Sequence, residues 1–133
     1  MLAREMISAH PDMQGGVSDV LIRCIEECFG CGQTCTSCAD ACLAEPMIDR
    51  LKECIRRCLD CADVCLATGR VMSRRTGSDR NVVRQMLEAC AVACRHCGDV
   101  CEHHAEEHAH CRICAEECRR CERACREAMQ SVH

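Results

Sequence analysis

The spacing of the cysteines constrains this chain more than any other feature. Nineteen of its 133 residues are Cys, and they fall into four runs in which gaps of three and four residues alternate. This is a seven-residue repeat with Cys at both a and d, the positions that a bundle helix buries. On a strand the same gaps would scatter the side chains over both faces. The pattern therefore predicts four helices, each with one stripe of thiols. The runs are Cys24, Cys28, Cys31, Cys35, Cys38 and Cys42; Cys54, Cys58, Cys61 and Cys65; Cys90, Cys94, Cys97 and Cys101; and Cys111, Cys114, Cys118, Cys121 and Cys125.

The composition requires these thiols to fill a core. The hydrophobic share of 48% includes the cysteines, and the chain has one Phe and neither Trp nor Tyr. A low aliphatic content indicates disorder only when the net charge is high, and here it is -4. The length suits a single domain over residues 1–133. Cys must therefore take part of the role that Leu has in ordinary cores.

Breaks between the runs give the expected helix boundaries. Gly15 and Gly16 precede the first helix, and Pro46 suits the first turn of the second. Ser78 resembles an N-cap before the third, with Asp79 as a favourable first-turn carboxylate. The predicted helices cover residues 18–44, 46–75, 79–105 and 109–131, after an N-terminal segment, residues 1–17, with a short helix over about residues 2–9.

The boundary between the third and fourth helices depends on length, since residues 102–110 contain neither Gly nor Pro. One continuous helix would need a partner of its own length, so we expect a turn there. Four amphipathic helices with short links predict an all-α, antiparallel up-down-up-down bundle. Charged residues at the non-Cys positions are expected to face solvent. These are Arg56, Arg57, Asp60, Glu116, Glu117, Arg119, Arg120 and Glu122.

Several functional classes are disfavoured by the sequence. No stretch is apolar enough to span a membrane, and the net charge and lack of aromatic residues argue against nucleic acid. Glu5 and His10 interrupt the N-terminus, which has no secretory signal, so we expect a reducing cytoplasm where structural disulfides are rare. An odd number of cysteines cannot all pair within one chain. We find no catalytic motif, no phosphate-binding loop and no organic-cofactor site, and expect no enzyme.

A column of reduced thiols predicts a site for soft metals, which include Cu(I), Zn(II) and iron–sulfur clusters. The spacings of bacterial ferredoxins are absent, and structural zinc sites are usually tetrahedral. Cu(I) accepts two or three thiolates, and each ion can replace one thiol proton without burying net charge. Residues i and i+4 on a helix are about 5–6 Å apart at Cβ, a span that two thiolates can bridge around one ion. The pattern predicts multiple Cu(I) ions, about one per Cys.

Three other functions stay open. A zinc or general thiolate buffer would stop near one ion per about four Cys. An iron–sulfur protein would absorb visible light. A thiol-based redox sink would accumulate disulfides on oxidation. A purely structural use of buried Cys is the simplest alternative, but Leu or Ile would pack better and resist oxidation.

The four Cys runs resemble the cytosolic copper storage proteins, a bacterial family of Cys-lined four-helix bundles, over residues 18–131. The resemblance implies storage of many Cu(I) ions in copper homeostasis, and usually a homotetramer. It implies that every Cys of the stripe is a ligand. The copper donor and acceptor are not indicated.

The two ends of the predicted column differ. Apolar residues extend the stripes at one end, where they form a plug; these are Val17, Leu21, Met72, Val83, Leu87 and Met129. His104, His108, Met47 and Leu51 lie at the other end, and imidazole and thioether both bind copper. We expect ions to enter there, with His104 and His108 as ligands and Met47 as a weaker candidate. The alternative is a polar helix end with ordinary surface histidines, which is the interpretation favoured for His103 and His110. Likewise, the N-terminal Met1, Met6, His10 and Met13 are interpreted as surface packing rather than a copper site.

Overall fold

A computed structural model describes residues 1–13 and 15–132. Within that part of the chain all regular structure is helical, which confirms the predicted fold class. The helices are α1 (Ala3–Ser8), α2 (Asp19–Leu43), α3 (Lys52–Ser73), α4 (Arg80–Glu102) and α5 (Ala109–Gln130), with 3₁₀ turns at Pro11–Met13 and Ile48–Leu51. None of these helices combines the length and the hydropathy that a membrane span requires.

The four long helices form an antiparallel bundle with the cysteines at its centre. Helix α2 packs against α3 and α5, and α4 packs against the same two helices. Sequential helices are therefore neighbours, as in an up-down-up-down bundle. The short α1 lies against α2, where Ile7 is buried and Arg4 pairs with Asp19 at 2.8 Å.

Side chains cap the starts of two long helices, and at α4 the N-cap is Asp79 rather than the expected Ser78. The Ser18 hydroxyl accepts a hydrogen bond from the backbone N–H of Val20 at the start of α2. The Asp79 carboxylate accepts from Asn81 and Val82 at the start of α4, at 2.8 and 3.2 Å. Each bond satisfies N–H groups that have no partner inside the helix.

Helix α3 begins at Lys52, later than the boundary inferred from Pro46. Pro46 lies instead in a turn that leads into the 3₁₀ segment. That segment brings Leu51 into the core, where it is 1% exposed. Burial of this side chain, rather than the preference of Pro for a first helical turn, decides the chain path here.

Helix α4 ends at Glu102, and a turn without glycine connects it to α5. The carbonyl of His104 accepts hydrogen bonds from the N–H groups of Glu107 and His108. No residue in this turn has a positive φ. A run of ordinary turns therefore reverses the chain, which explains why no Gly or Pro marks the position in the sequence.

Two glycines allow α2 and α3 to approach closely. A Cβ added at Gly32 would lie 2.7 Å from the Leu66 side chain, and one added at Gly69 would lie 2.9 Å from Phe29. Both distances are too short for real contacts, so each glycine provides a hole for a large side chain of the opposite helix. The few large apolar residues thus pack outside the thiol column.

Candidate metal centre

All nineteen cysteines line one buried column. Each is a free thiol and none is more than 2% exposed. All four long helices contribute, because the a and d positions of every helix face the bundle axis. The column matches the complete set of cysteines predicted from the repeat.

Within the column the sulfurs form groups of four that overlap. In each group the Sγ atoms lie within 4.8 Å of one another, and three or four different helices provide them. Cys31, Cys35, Cys118 and Cys121 each belong to two groups. Five of the groups are Cys28, Cys90, Cys121 and Cys125; Cys31, Cys65, Cys94 and Cys121; Cys31, Cys35, Cys61 and Cys118; Cys35, Cys97, Cys114 and Cys118; and Cys38, Cys54, Cys58 and Cys101. The arrangement is a continuous lattice of donors, in which one sulfur can bridge two ions.

The sulfur separations suit low-coordinate metal ions. Cys101 Sγ lies 3.5 Å from that of Cys54 and 3.6 Å from that of Cys58, and Cys42 Sγ is 4.0 Å from that of Cys54. Three sulfurs at about 2.3 Å from one metal would be about 4.0 Å apart, and two in a line about 4.6 Å apart. Small side-chain movements are enough to admit ions between them.

Hydrogen bonds among these thiols shift their pKa values in opposite directions. Hydrogen bonds from Cys125 and Cys28 lower the pKa of Cys24 to about 5. The hydrogen bonds of Cys28 with Cys121, Cys125 and Cys24 raise its pKa. At the end of the first run, burial raises the pKa of Cys42. Because a buried charge is costly, a monovalent ion that replaces each released proton keeps the column close to neutral.

One end of the column, which we call the mouth, carries a histidine cluster. The mouth consists of Cys38, Cys111, Glu45, His108 and His110. His110 Nδ1 lies 3.5 Å from Cys38 Sγ and 3.6 Å from Cys111 Sγ, and its Nε2 is 3.0 Å from Glu45 Oε2. His108 Nδ1 lies 2.6 Å from the same carboxylate oxygen, and the two imidazoles stack at 5.4 Å.

The Glu45 contact sets the tautomer of His110. A carboxylate oxygen only accepts hydrogen bonds, so His110 Nε2–H is the donor. In the neutral imidazole Nδ1 then carries the lone pair, and that atom faces the two thiols. Burial lowers the pKa of His110, but hydrogen bonds with Cys38 and Glu45 outweigh burial and raise it overall. The same bond with His110 lowers the pKa of Glu45.

The mouth differs in detail from the sequence-based expectation. His108 is part of it, whereas His104 is half-buried in the preceding turn and His103 is exposed. Met47 is 44% exposed. Among the described histidines, His110, interpreted from sequence as a surface residue, has a ring nitrogen within hydrogen-bond distance of two thiols. It was overlooked because it directly precedes Cys111 and is therefore off the Cys stripe.

The opposite end, which we call the closed end, is sealed by apolar side chains. Leu87 is fully buried, and Leu21, Met72 and Val83 are at most 8% exposed. Val17 and Met129 pack against them as partly buried neighbours. The structure thus places the predicted plug residues around one end of the bundle.

One charged residue expected on the solvated face is buried. Glu117 is 7% exposed, where α5 packs on α2, and Arg120 donates to its Oε1 at 2.9 Å. Burial, together with the charge of Glu27, raises the pKa of Glu117 to about 7. Gly30 on the facing helix leaves room for this carboxyl, since a Cβ added at Gly30 would lie 3.6 Å from Glu117 Oε2. The repeat describes one helix at a time, so it did not indicate this burial.

The sequence profile of the copper storage proteins matches residues 17–130, which include all four thiol stripes. The chain belongs to this family. A structure of the copper storage protein Ccsp from Streptomyces lividans, loaded with 10 copper equivalents, is 52% identical, with 98% of this chain and 99% of that chain covered and a TM-score of 0.94.

Two further relatives agree with this family membership. A structure of a cytosolic copper storage protein from Streptomyces lividans, carrying five coppers, is 56% identical over 86% of this chain and 96% of that chain, with a TM-score of 0.85. The uncharacterized cysteine-rich protein YhjQ of Bacillus subtilis (strain 168) is 35% identical over 92 residues, which are 69% of this chain and 80% of that protein.

Proposed function

We propose that this protein stores many Cu(I) ions, with all nineteen core cysteines as ligands and about one ion per Cys. The overlap of the sulfur groups is the observation that supports this most directly. Storage by bridging thiolates requires donors that are shared between adjacent ions, and the column provides them along its length. The copper-loaded Streptomyces lividans relatives support the same cargo.

A discrete zinc buffer fits the column less well. Isolated tetrathiolate sites need four sulfurs each, but Cys31 and Cys121 are already shared by two groups of four. Each Zn(II) with four thiolates would also leave two negative charges in a buried core. Cu(I) leaves the core near neutral, since one ion replaces one proton.

We propose that ions enter at the mouth. The contact of His108 with Glu45 and the approach of His110 Nδ1 to Cys38 and Cys111 support this, and His104 in the preceding turn is proposed as a further ligand on the path. Imidazoles can hold an incoming ion before thiolates take it over, since both are ligands for Cu(I). Met47 remains a weaker candidate at the same end.

The cellular setting is proposed from the relatives. One Streptomyces lividans relative is described as cytosolic, which supports a cytoplasmic store for this chain. A homotetramer remains a proposal from the family resemblance, and the copper donor and acceptor are not assigned. We propose storage rather than catalysis as the function.

An anaerobic Cu(I) titration of the fully reduced apo-protein tests the proposed capacity. The thiolate-to-copper absorption in the ultraviolet can be followed against little background, because the chain has neither Trp nor Tyr. We expect a linear rise that ends near one Cu(I) per Cys and persists with a competing chelator. An endpoint near one ion per about four Cys would contradict the proposal and indicate discrete sites.

A further inference from the structure

A cleft of about 430 Å³ lies at the closed end, outside the copper column. It is bounded by the start of α2, the link between α3 and α4, and the end of α5. The half-buried Arg75 and the exposed Arg80 line it together with Ser78 and Ser131, whose hydroxyl donates to the Ala128 carbonyl at 2.8 Å. Met72 and Val83 form its apolar floor and separate it from the thiols.

Among the side chains of residues 1–13 and 15–132 that line this cleft, none offers Arg75 a counter-charge. Its Nε is buried and has no hydrogen-bond partner, and burial lowers the pKa of the guanidinium. In residues 1–13 and 15–132 no carboxylate forms an ion pair with Arg75 or Arg80, and no Asp or Glu lines the cleft. By contrast, Arg119 on the flank of the bundle is paired with Asp99 at 2.8 Å and with Glu102 at 3.1 Å.

The helix ends do not cancel this positive charge. Helices α2 and α4 begin at the closed end, whereas α3 and α5 end there. Two partial positive charges and two partial negative charges of about half an elementary charge therefore offset one another. Arg75 and Arg80 are the charged residues among the described lining of the cleft, and a buried donor without an acceptor, such as Arg75 Nε, costs free energy.

We infer that this cleft binds a small oxyanion, a carboxylate or a phosphate. The fork of Arg75 would hold two oxygens, Arg80 would add a second charge, and the Ser78 hydroxyl would donate to a remaining lone pair. The apolar floor leaves room for a short hydrocarbon part. The site is separate from copper binding, because no cysteine lines the cleft.

The experiment measures binding of inorganic phosphate and of succinate to the full-length apo-protein by isothermal titration calorimetry. We expect saturable binding of at least one probe, and the probe that binds identifies the oxyanion. Arg75→Gln should weaken that binding by about tenfold or more, since it removes a charge-assisted hydrogen bond. Arg75→Lys should retain part of the affinity, because Lys keeps the charge without the fork.

Arg74→Gln is the matched control. Arg74 precedes Arg75, is exposed and does not line the cleft. Its variant should bind as the wild type does. Circular dichroism and Cu(I) capacity check that each variant is folded. If Arg75→Gln does not fold, Arg80→Gln is used in its place. The inference is overturned if neither probe binds saturably, or if the folded Arg75 or Arg80 variant binds as tightly as the Arg74 control.

Discussion

The mouth and the closed end terminate the same thiol column with opposite chemistry. At the mouth, His108, His110 and Glu45 form a polar cluster whose imidazole nitrogens approach the thiols. At the closed end, the hydrocarbon side chains of Leu87 and Val83 are buried in the same core as the last cysteines and offer no ligand atom. The two ends therefore meet two different requirements. Apolar burial at the closed end stabilises the apo bundle, whereas ligand atoms at the mouth give ions access to the column.

Burial alone does not distinguish the two ends. Leu51 is as well buried on the mouth side as Leu87 is on the closed side. The difference lies in the neighbours of the outermost thiols. Cys38 and Cys111 contact an imidazole, whereas the cysteines at the other end meet the apolar plug. Variants at the two ends should therefore affect different properties.

The largest expected effect is on stability, at the closed end. Leu87→Ala removes a fully buried side chain and leaves a cavity beside the thiols. We expect the free energy of unfolding of the apo-protein to fall by about 2–5 kcal/mol. Urea denaturation followed by circular dichroism measures it. The rate of Cu(I) loading should stay unchanged, since the plug is not on the proposed entry path.

The control for this variant is Val82→Ala, on the same helix but half exposed. It should change stability by less than about 0.5 kcal/mol. If Leu87→Ala instead accelerates loading while Val82→Ala does not, the closed end is a second entrance and the comparison fails.

The next effect is kinetic, at the mouth. The triple variant His104→Ala, His108→Ala and His110→Ala removes the imidazoles from the proposed path. We expect the initial rate of Cu(I) uptake from a chelated donor to fall about tenfold, equivalent to about 1.4 kcal/mol in the barrier. Stopped-flow absorption measures the rate. Capacity should fall only slightly, because all nineteen thiols remain.

His103→Ala is the matched control, because His103 is exposed in the same turn. It should load as fast as the wild type. An unchanged rate in the triple variant would remove the mouth from the mechanism, whereas a large loss of capacity would show that the histidines hold stored ions. The separate single variants would then identify which imidazole is responsible.

The sequence specified the bundle and the thiol column, because the a and d repeat determines which face of each helix is buried. The family resemblance is confirmed by the profile match over residues 17–130. The repeat could not predict which side chains of different helices contact one another. His110 reaches Cys38 across the bundle, and Glu117 is covered because Gly30 leaves space beside it. Local capping signals likewise could not show that Leu51 is buried before α3 begins.

The smallest expected effect comes from Glu45, the residue that orients the mouth histidines. Glu45→Gln keeps the shape but removes the charge that faces His108 and His110. We expect loading to slow by only about twofold, since the imidazoles themselves remain. Apo-protein stability should also fall slightly, and by an amount that depends on pH.

The sign of this pH dependence follows from the two pKa shifts. The pKa of Glu45 is lowered from 4.5, so its contribution to stability is present above 4.5 and is lost as pH falls through the folded-state value. The pKa of His110 is raised from 6.5, so its contribution is present below 6.5 and is lost as pH rises through the folded-state value. Both contributions to stability are present between pH 4.5 and pH 6.5. The Tm difference between wild type and Glu45→Gln should therefore be larger near about pH 6 than near about pH 8. Glu106→Gln, at an exposed carboxylate in the turn between α4 and α5, should show no such difference. An equal Tm difference at both pH values would mean that Glu45 positions the mouth through shape alone, and that its charge has no part in distinguishing the two ends.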